Sequence, residues 1–168
     1  GGLAAAIKDA EPDRQPLNDS KTHYPEHLSP AQDFFFKQSL ANSDHFNQAM
    51  LFETTQSVDV EGFHYALEQV IQAHPTLRTA YRSMKKGLSI IPCQLDTEEA
   101  SSVSLINWEA ESATDCHVET VAQYHQKSIS LREGRLFRAH LFRSSCQRDL
   151  ILFVAHHVAV DVISWRIL

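Results

Sequence analysis

The sequence is most informative at Leu150–Trp165, which reads Leu-Ile-Leu-Phe-Val-Ala-His-His-Val-Ala-Val-Asp-Val-Ile-Ser-Trp. Its apolar start, residues 150–155, predicts a buried strand in the middle of a sheet. That strand delivers His156 and His157 together at its C-terminal end. Because neighbouring side chains on an extended backbone point to opposite sides, only one of the two imidazoles can face a given cavity. We therefore expect one histidine at a site and the other in a structural position.

The chemistry predicted for this stretch is acid–base catalysis or hydrogen bonding to a transition state. An imidazole has an ordinary pKa of about 6.5, which suits a general base. Asp161 follows His157 by four residues and can orient the imidazole or form an ion pair elsewhere. The sequence contains no G-x-S-x-G motif and no cysteine beside the pair, which argues against covalent catalysis. Neighbouring strand residues diverge and no further ligand stands at zinc spacing, so we expect no metal. Taken alone, the His-x-x-x-Asp pattern is weak, because a histidine pair can simply close a sheet edge.

The composition narrows the classes of function. A formal net charge of -6 and a pI near 5.9 provide no basic stripe for nucleic acid. No apolar run approaches the roughly 20 residues that span a bilayer. Cys93, Cys116 and Cys146 are widely spaced, which is typical of a reducing compartment rather than a disulfide framework. We expect a cytoplasmic protein without a nucleic-acid or membrane partner.

The remaining patterns predict alternating helices and strands. Residues 1–27 are rich in proline and polar groups and indicate a linker or a poorly ordered lead-in. Helices are predicted at Pro30 to about Leu40, after an Asp59 cap up to His74, at 112–129 and from Asp161 onward. Strands are predicted at 45–54, 77–84, 88–94, 103–108, 136–142 and 150–155, with a hairpin turn at 85–87. The interleaving favours an α/β sandwich with a mixed sheet and packed helices.

Four blocks in order carry a resemblance to a known family. They are Leu28–Phe36 (Leu-Ser-Pro-Ala-Gln-Asp-Phe-Phe-Phe), His45–Ala49 (His-Phe-Asn-Gln-Ala), His74–Tyr81 (His-Pro-Thr-Leu-Arg-Thr-Ala-Tyr) and His156-His157-x-x-x-Asp161 with Ser164-Trp165-Arg166. Together they resemble the condensation superfamily of nonribosomal peptide synthetases. The resemblance implies a chloramphenicol-acetyltransferase-like fold of two lobes with a tunnel between them. Residues 28–168 would form the N-terminal lobe, and a helix still open at Leu168 is typical of a fragment.

The resemblance also implies roles for individual residues. His157 would face the tunnel as the catalytic base, supported by His156. Asp161 would be structural and would pair with Arg78, whose forked guanidinium suits a bidentate ion pair. Ser164 and Trp165 would line the tunnel, although packing of Trp165 in the core is the favoured alternative.

By the same resemblance, the substrate is a thioester on the phosphopantetheine arm of a peptidyl carrier protein, and the chain itself binds no cofactor. The second lobe and neighbouring synthetase domains would be the other partners. Ser164-Trp165-Arg166 and Phe46-Asn47-Gln48 look closer to epimerization domains, so epimerization is the first expectation. The alternatives are a condensation lobe, an inactive interface domain and an acyl-CoA-dependent acyltransferase, which shares His-x-x-x-Asp. Val162 stands where many relatives have glycine and is expected to reduce the room beside the histidine loop.

Overall fold

The computed structural model describes residues 27–83, 90–95, 106–109, 115–143 and 148–167. The helices are α1 (Pro30–Lys37), α2 (Val60–Ala73), α3 (Asp115–Ser128) and α4 (Ser164–Ile167). The strands are β1 (Asn47–Glu53), β2 (Thr79–Ser83), β3 (Ile90–Gln94), β4 (Ile106–Glu109), β5 (Phe137–Phe142) and β6 (Leu150–His156). Two 3₁₀ turns lie at Ser43–His45 and Pro75–Arg78. The predicted lead-in, apart from His27, and the hairpin turn at 85–87 lie outside the described residues, so the domain boundary at residue 28 stays a prediction.

The sheet is mixed, as the sequence predicts. Within the described residues its strand order is β1-β6-β5-β4, with antiparallel β1·β6 and β5·β6 pairs and a parallel β4·β5 pair. β2 and β3 form a separate antiparallel ribbon. β6 has neighbours on both sides and is buried along 151–156, which confirms the central strand inferred from its apolar run.

Helices cover both faces of this sheet. Phe63 and Leu67 of α2 pack on one face, against alternate residues of β5 and β6: Phe137, Ala139, Leu141, Ile151, Phe153 and Ala155. The opposite face packs against α3 and the residues after it, in a cluster of Val121, Ile129, Phe142, Leu152 and Val154. This burial on both faces explains why β6 carries a continuous apolar run rather than an alternating pattern. Among the described residues, no helix has the length and apolar character needed to cross a bilayer.

The start of α1 is built as its sequence indicates, but its end differs. Ser29 Oγ accepts the Gln32 N–H, and Gln32 Oε1 accepts the Ser29 N–H at 2.9 Å, forming a capping box. The helix ends at Lys37 rather than near Leu40. Its last turn tightens, because the Gln38 N–H bonds to the Phe35 carbonyl. Ser39 then adopts a left-handed φ of 50°, which stops the helix.

Two strands begin later than the sequence predicts. β1 starts at Asn47 because Ser43–His45 forms a 3₁₀ turn. β2 starts at Thr79 because Pro75 opens another 3₁₀ turn, closed by the Leu77 N–H on the His74 carbonyl at 2.9 Å. Phe46, directly after the first turn, and Leu77, inside the second, extend the apparent strand pattern. α2 begins and ends as its Asp59 cap and the His74-Pro75 step predict.

We expect Asp149→Ala to lower the free energy of unfolding by about 3 kcal/mol, because it removes a buried charged acceptor. Asp149 is fully buried before β6, and its Oδ2 accepts the Val58 N–H at 2.8 Å and Arg143 Nη1 at 3.3 Å. Urea denaturation measures the change. Glu53→Ala is the control, since Glu53 is 60% exposed and lies 3.7 Å from Arg148. An equal loss in both variants would contradict the assignment.

Candidate active site

The histidine pair separates as strand geometry predicts. His156, the last residue of β6, is fully buried, whereas His157 is exposed. Only His157 is therefore accessible to a substrate on this surface. His156 is buried beneath the surface and can only have a structural role.

His156 joins the histidine loop to the turn that precedes β1. Its Nε2 lies 2.7 Å from the Ser43 carbonyl oxygen, and its Nδ1 lies 3.0 Å from the Val158 amide nitrogen. The carbonyl can only accept and the amide can only donate, so Nε2 carries the proton and Nδ1 accepts. Burial lowers the pKa of His156, which favours this neutral form. The ring is thus a structural link with both nitrogens paired.

His157 has the opposite tautomer. Its Nδ1 lies 2.9 Å from the Val160 carbonyl oxygen and must donate the hydrogen bond. The neutral ring then carries its lone pair on Nε2, on an exposed side chain. This arrangement suits a general base, because the backbone carbonyl fixes the tautomer that leaves Nε2 able to accept a proton.

Phe46 also holds His157. The two rings stack with their centroids 5.2 Å apart and their planes 14° from parallel. The Phe46 carbonyl accepts the backbone N–H of His157 at 2.9 Å. No local signal in the sequence indicates the contact of Phe46 with a histidine 111 positions later.

Asp161 caps the short helix α4 instead of pairing with an arginine. Its Oδ1 accepts the backbone N–H and the hydroxyl of Ser164, both at 2.7 Å. These bonds, led by the one from the Ser164 side chain, lower the pKa of Asp161. Ser164 is therefore a partner of Asp161. Its predicted role as a tunnel-lining residue stays a prediction.

The predicted ion pair between Arg78 and Asp161 is wrong for this structure. Arg78 is buried in the turn before β2, and its Nη1 donates to the Leu95 carbonyl at 2.9 Å. Asp161 is exposed and its carboxylate is engaged by Ser164, three residues ahead. The short local contact forms without the loop closure that a distant ion pair needs. Arg78 instead ties the turn before β2 to the end of β3.

Trp165 connects α4 to the edge of the sheet. Its indole Nε1–H donates to Gln48 Oε1 at 2.6 Å, and its ring packs on the core cluster beneath α2. This is the packing alternative that the sequence favoured. Tunnel lining by the partly exposed remainder of the ring stays a prediction.

The first and third sequence blocks meet behind the histidine loop. Gln32 Nε2 donates to the hydroxyl of Tyr81 at 2.8 Å, which joins α1 to β2. Burial of Tyr81 raises its pKa to about 12, so it stays a neutral hydroxyl. Phe35 packs with Tyr81 in one core cluster and meets the His156 ring edge-on, with centroids 5.4 Å apart. Residues of the first and third blocks therefore pack together beneath the loop that carries His157.

Metal-ligating groups do not gather at this loop or elsewhere in the described part of the chain, where no three His, Cys, Asp or Glu side chains cluster. The groups that the structure offers here are the exposed imidazole of His157, the exposed ring of Phe46, the partly buried indole of Trp165, and backbone. Such a set can transfer a proton or accept a hydrogen bond.

The comparisons with known proteins place this site in a family. A family model described as "Condensation domain" matches residues 20–168, and the chain belongs to that family. The chain is 34% identical over 143 residues to surfactin synthase subunit 1 of Bacillus subtilis (strain 168), covering 84% of this chain and 4% of the relative. The resemblance to nonribosomal peptide synthetases is confirmed.

Two solved structures show the same fold. The epimerization domain from the third module of tyrocidine synthetase B is 25% identical with a TM-score of 0.72, covering 83% of this chain and 32% of that one. The starter condensation domain of rhizomide synthetase gives a TM-score of 0.68 at 19% identity, covering 84% and 35%. The chloramphenicol-acetyltransferase-like α/β architecture is thereby confirmed. The chain spans about a third of each of these structures.

Proposed function

We propose that this chain is the N-terminal lobe of an epimerization domain in which His157 moves the α-proton of a carrier-bound aminoacyl or peptidyl thioester. The observation that carries the proposal is the tautomer of His157, with Nδ1–H on the Val160 carbonyl and Nε2 free to accept a proton. Likeness to a solved epimerization domain supports this choice of reaction.

In the proposed reaction one proton leaves the α-carbon and another is returned to it. His157 Nε2 takes the proton from the α-carbon, whose electron pair delocalises onto the thioester carbonyl. The resulting imidazolium keeps its Nδ1–H bond to Val160, which stabilises the charge. Return of a proton to the opposite face of the α-carbon inverts the centre, and we assign that proton to a group on the second lobe.

The partners follow from the same proposal. The thioester would be presented on the phosphopantetheine arm of a peptidyl carrier protein, while the chain itself would bind no cofactor. The second lobe would supply the other wall of the tunnel, beside neighbouring synthetase domains. Because His157 lies on an exposed surface, we expect the 168-residue chain alone to show no turnover.

A condensation lobe is the second candidate, favoured by the family model that matches 20–168. In that reaction an amine on an acceptor arm attacks the donor thioester. His157 Nε2 then accepts a proton from the amine, or a hydrogen bond, with the same tautomer as in epimerization.

An inactive interface domain has less support. The side chain of Val162 is 72% exposed, so most of its surface faces solvent in the described part of the chain, and its expected crowding of the histidine loop stays a prediction. Among the described residues, Ser39 is the non-glycine residue with a positive φ, so Val162 needs no backbone conformation reserved for glycine. The structure therefore gives no steric reason for Val162 to disable His157.

The test uses the complete domain containing this chain, with a carrier protein bearing an aminoacyl or peptidyl thioester, in deuterated solvent. Deuterium at the α-carbon with inversion, both absent in His157→Ala, is the expected result. Amide product without exchange would overturn epimerization in favour of condensation. The absence of both reactions, with the carrier verified as loaded, would overturn both in favour of the interface domain.

A further inference from the structure

The exposed ring of Phe46 is placed where it limits the movement of His157. We propose that Phe46 is a positioning residue that holds the His157 imidazole in its base-competent orientation. The inference rests on the proposed role of His157 as a base, and it adds a residue that acts through His157.

Phe46 makes two contacts with His157, one through its ring and one through its backbone carbonyl. Its ring covers one face of the imidazole in a near-parallel stack, 14° between planes. Its backbone carbonyl accepts the His157 N–H at 2.9 Å. The ring contact depends on the side chain of Phe46. The backbone hydrogen bond does not, so a substitution at residue 46 that leaves the backbone in place keeps it.

Phe46 is itself held from the core. Its ring lies 5.5 Å from that of Phe35, measured between centroids, and Phe35 is 7% exposed. Phe35 also meets the buried His156 ring edge-on. A row of aromatic rings thus runs from the core through Phe35 and Phe46 to His157.

An exposed imidazole needs a contact that restricts its rotation if it is to act as a base. The single Nδ1 bond to Val160 competes with water, so by itself it leaves the ring free to turn about χ2. An aromatic stack restricts that rotation and keeps water from one face of the ring. Because a base must lie within hydrogen-bond reach of the proton that it takes, turning of the ring removes Nε2 from productive geometry.

The expected result for Phe46→Leu is a fall in kcat of about tenfold with little change in KM, since misplacement of a catalytic group slows the chemical step. Phe46→Tyr keeps the stacked ring and is expected to retain activity. Phe52→Leu is the matched control. Phe46 and Phe52 are each 45% exposed, but Phe52 contacts Phe153 rather than His157.

A second readout separates positioning from a general loss of structure. Two-bond ¹H–¹⁵N spectra of the complete domain with labelled histidine report the tautomer of each imidazole, and His157→Ala identifies the signal. We expect the Nδ1–H form for His157 in the unmodified domain and in Phe46→Tyr. Phe46→Leu is expected to give a mixture of tautomers with an unchanged melting temperature. Phe46→Met, which keeps an apolar contact with Phe35 but has no ring, is expected to behave likewise and replaces Phe46→Leu if that variant unfolds.

The outcomes distinguish the two proposals. Full activity of His157→Ala would overturn the base role of His157 and with it the role of Phe46. An inactive His157→Ala beside Phe46→Leu and Phe46→Met variants of normal rate and tautomer would overturn the positioning role alone. An equal fall in kcat in Phe52→Leu would also overturn it, because the effect would not depend on the stack.

Discussion

Replacing His157 by alanine is expected to lower turnover by the complete domain about a thousandfold, the usual contribution of a positioned general base. The substitution removes Nε2, the proton acceptor that the Val160 carbonyl leaves available by fixing Nδ1–H. Initial rates of deuterium incorporation or amide formation, measured with a loaded carrier protein, give the effect. Since His157 is exposed, the fold is expected to survive.

The control for this result is another exposed histidine. His64 lies on α2, its side chain is 54% exposed, and it pairs with Glu68 one turn later. His64→Ala is expected to keep the original rate. A His157→Ala domain with unchanged turnover and unchanged fold would show that the chemistry uses a different group. A comparable loss in His64→Ala would point to impaired folding or carrier binding instead.

Much of the fold follows from local patterns in the sequence. The limits of α2 follow from an Asp59 cap and a His74-Pro75 step, both of which act within one helical turn. The central position of β6 follows from its apolar run, because a strand without polar alternation needs cover on both faces. The late starts of β1 and β2 do not follow from the sequence pattern, because Phe46 after one 3₁₀ turn and Leu77 inside the other resemble strand residues.

The site is predictable only in part. Opposite orientation of His156 and His157 follows from strand geometry, and the structure confirms it. The partners that fix their tautomers are backbone carbonyls of Ser43 and Val160, and a carbonyl carries no signature in the sequence. Such contacts become visible only when tertiary structure brings distant segments together.

The error over Arg78 and Asp161 has a different cause. A family resemblance implied a long-range ion pair, but a local contact engages Asp161. The Asp161-x-x-Ser164 spacing is itself a helix-start signal, since a side chain oxygen three residues before a backbone N–H can cap it. The structure shows this cap, with both bonds at 2.7 Å. The capping pattern in the sequence therefore predicts Ser164 as the partner of Asp161.

His156→Leu is expected to lower the free energy of unfolding by about 3 kcal/mol, because it leaves two partly buried polar groups without their partner. The carbonyl of Ser43 loses the Nε2–H donor, and the amide of Val158 loses the Nδ1 acceptor. Urea denaturation gives the change in stability, and His64→Leu on the exposed face of α2 is the control. A loss no larger than that of the control would contradict the structural role of His156.

The same variant should also alter how stability depends on pH. Burial lowers the pKa of His156 below its ordinary 6.5, against smaller opposing effects of the Ser43 carbonyl and Asp44. The unfolded chain therefore binds a proton at a higher pH than the folded chain, so the stabilisation is complete above about 6.5 and falls as pH decreases toward the folded pKa. His156→Leu is expected to remove this part of the slope. The buried His125 and His140 remain in both proteins, so their contributions cancel in the difference. Equal slopes below the ordinary histidine pKa in the two proteins would show that His156 does not enter the fold as the neutral link between the histidine loop and the turn at Ser43.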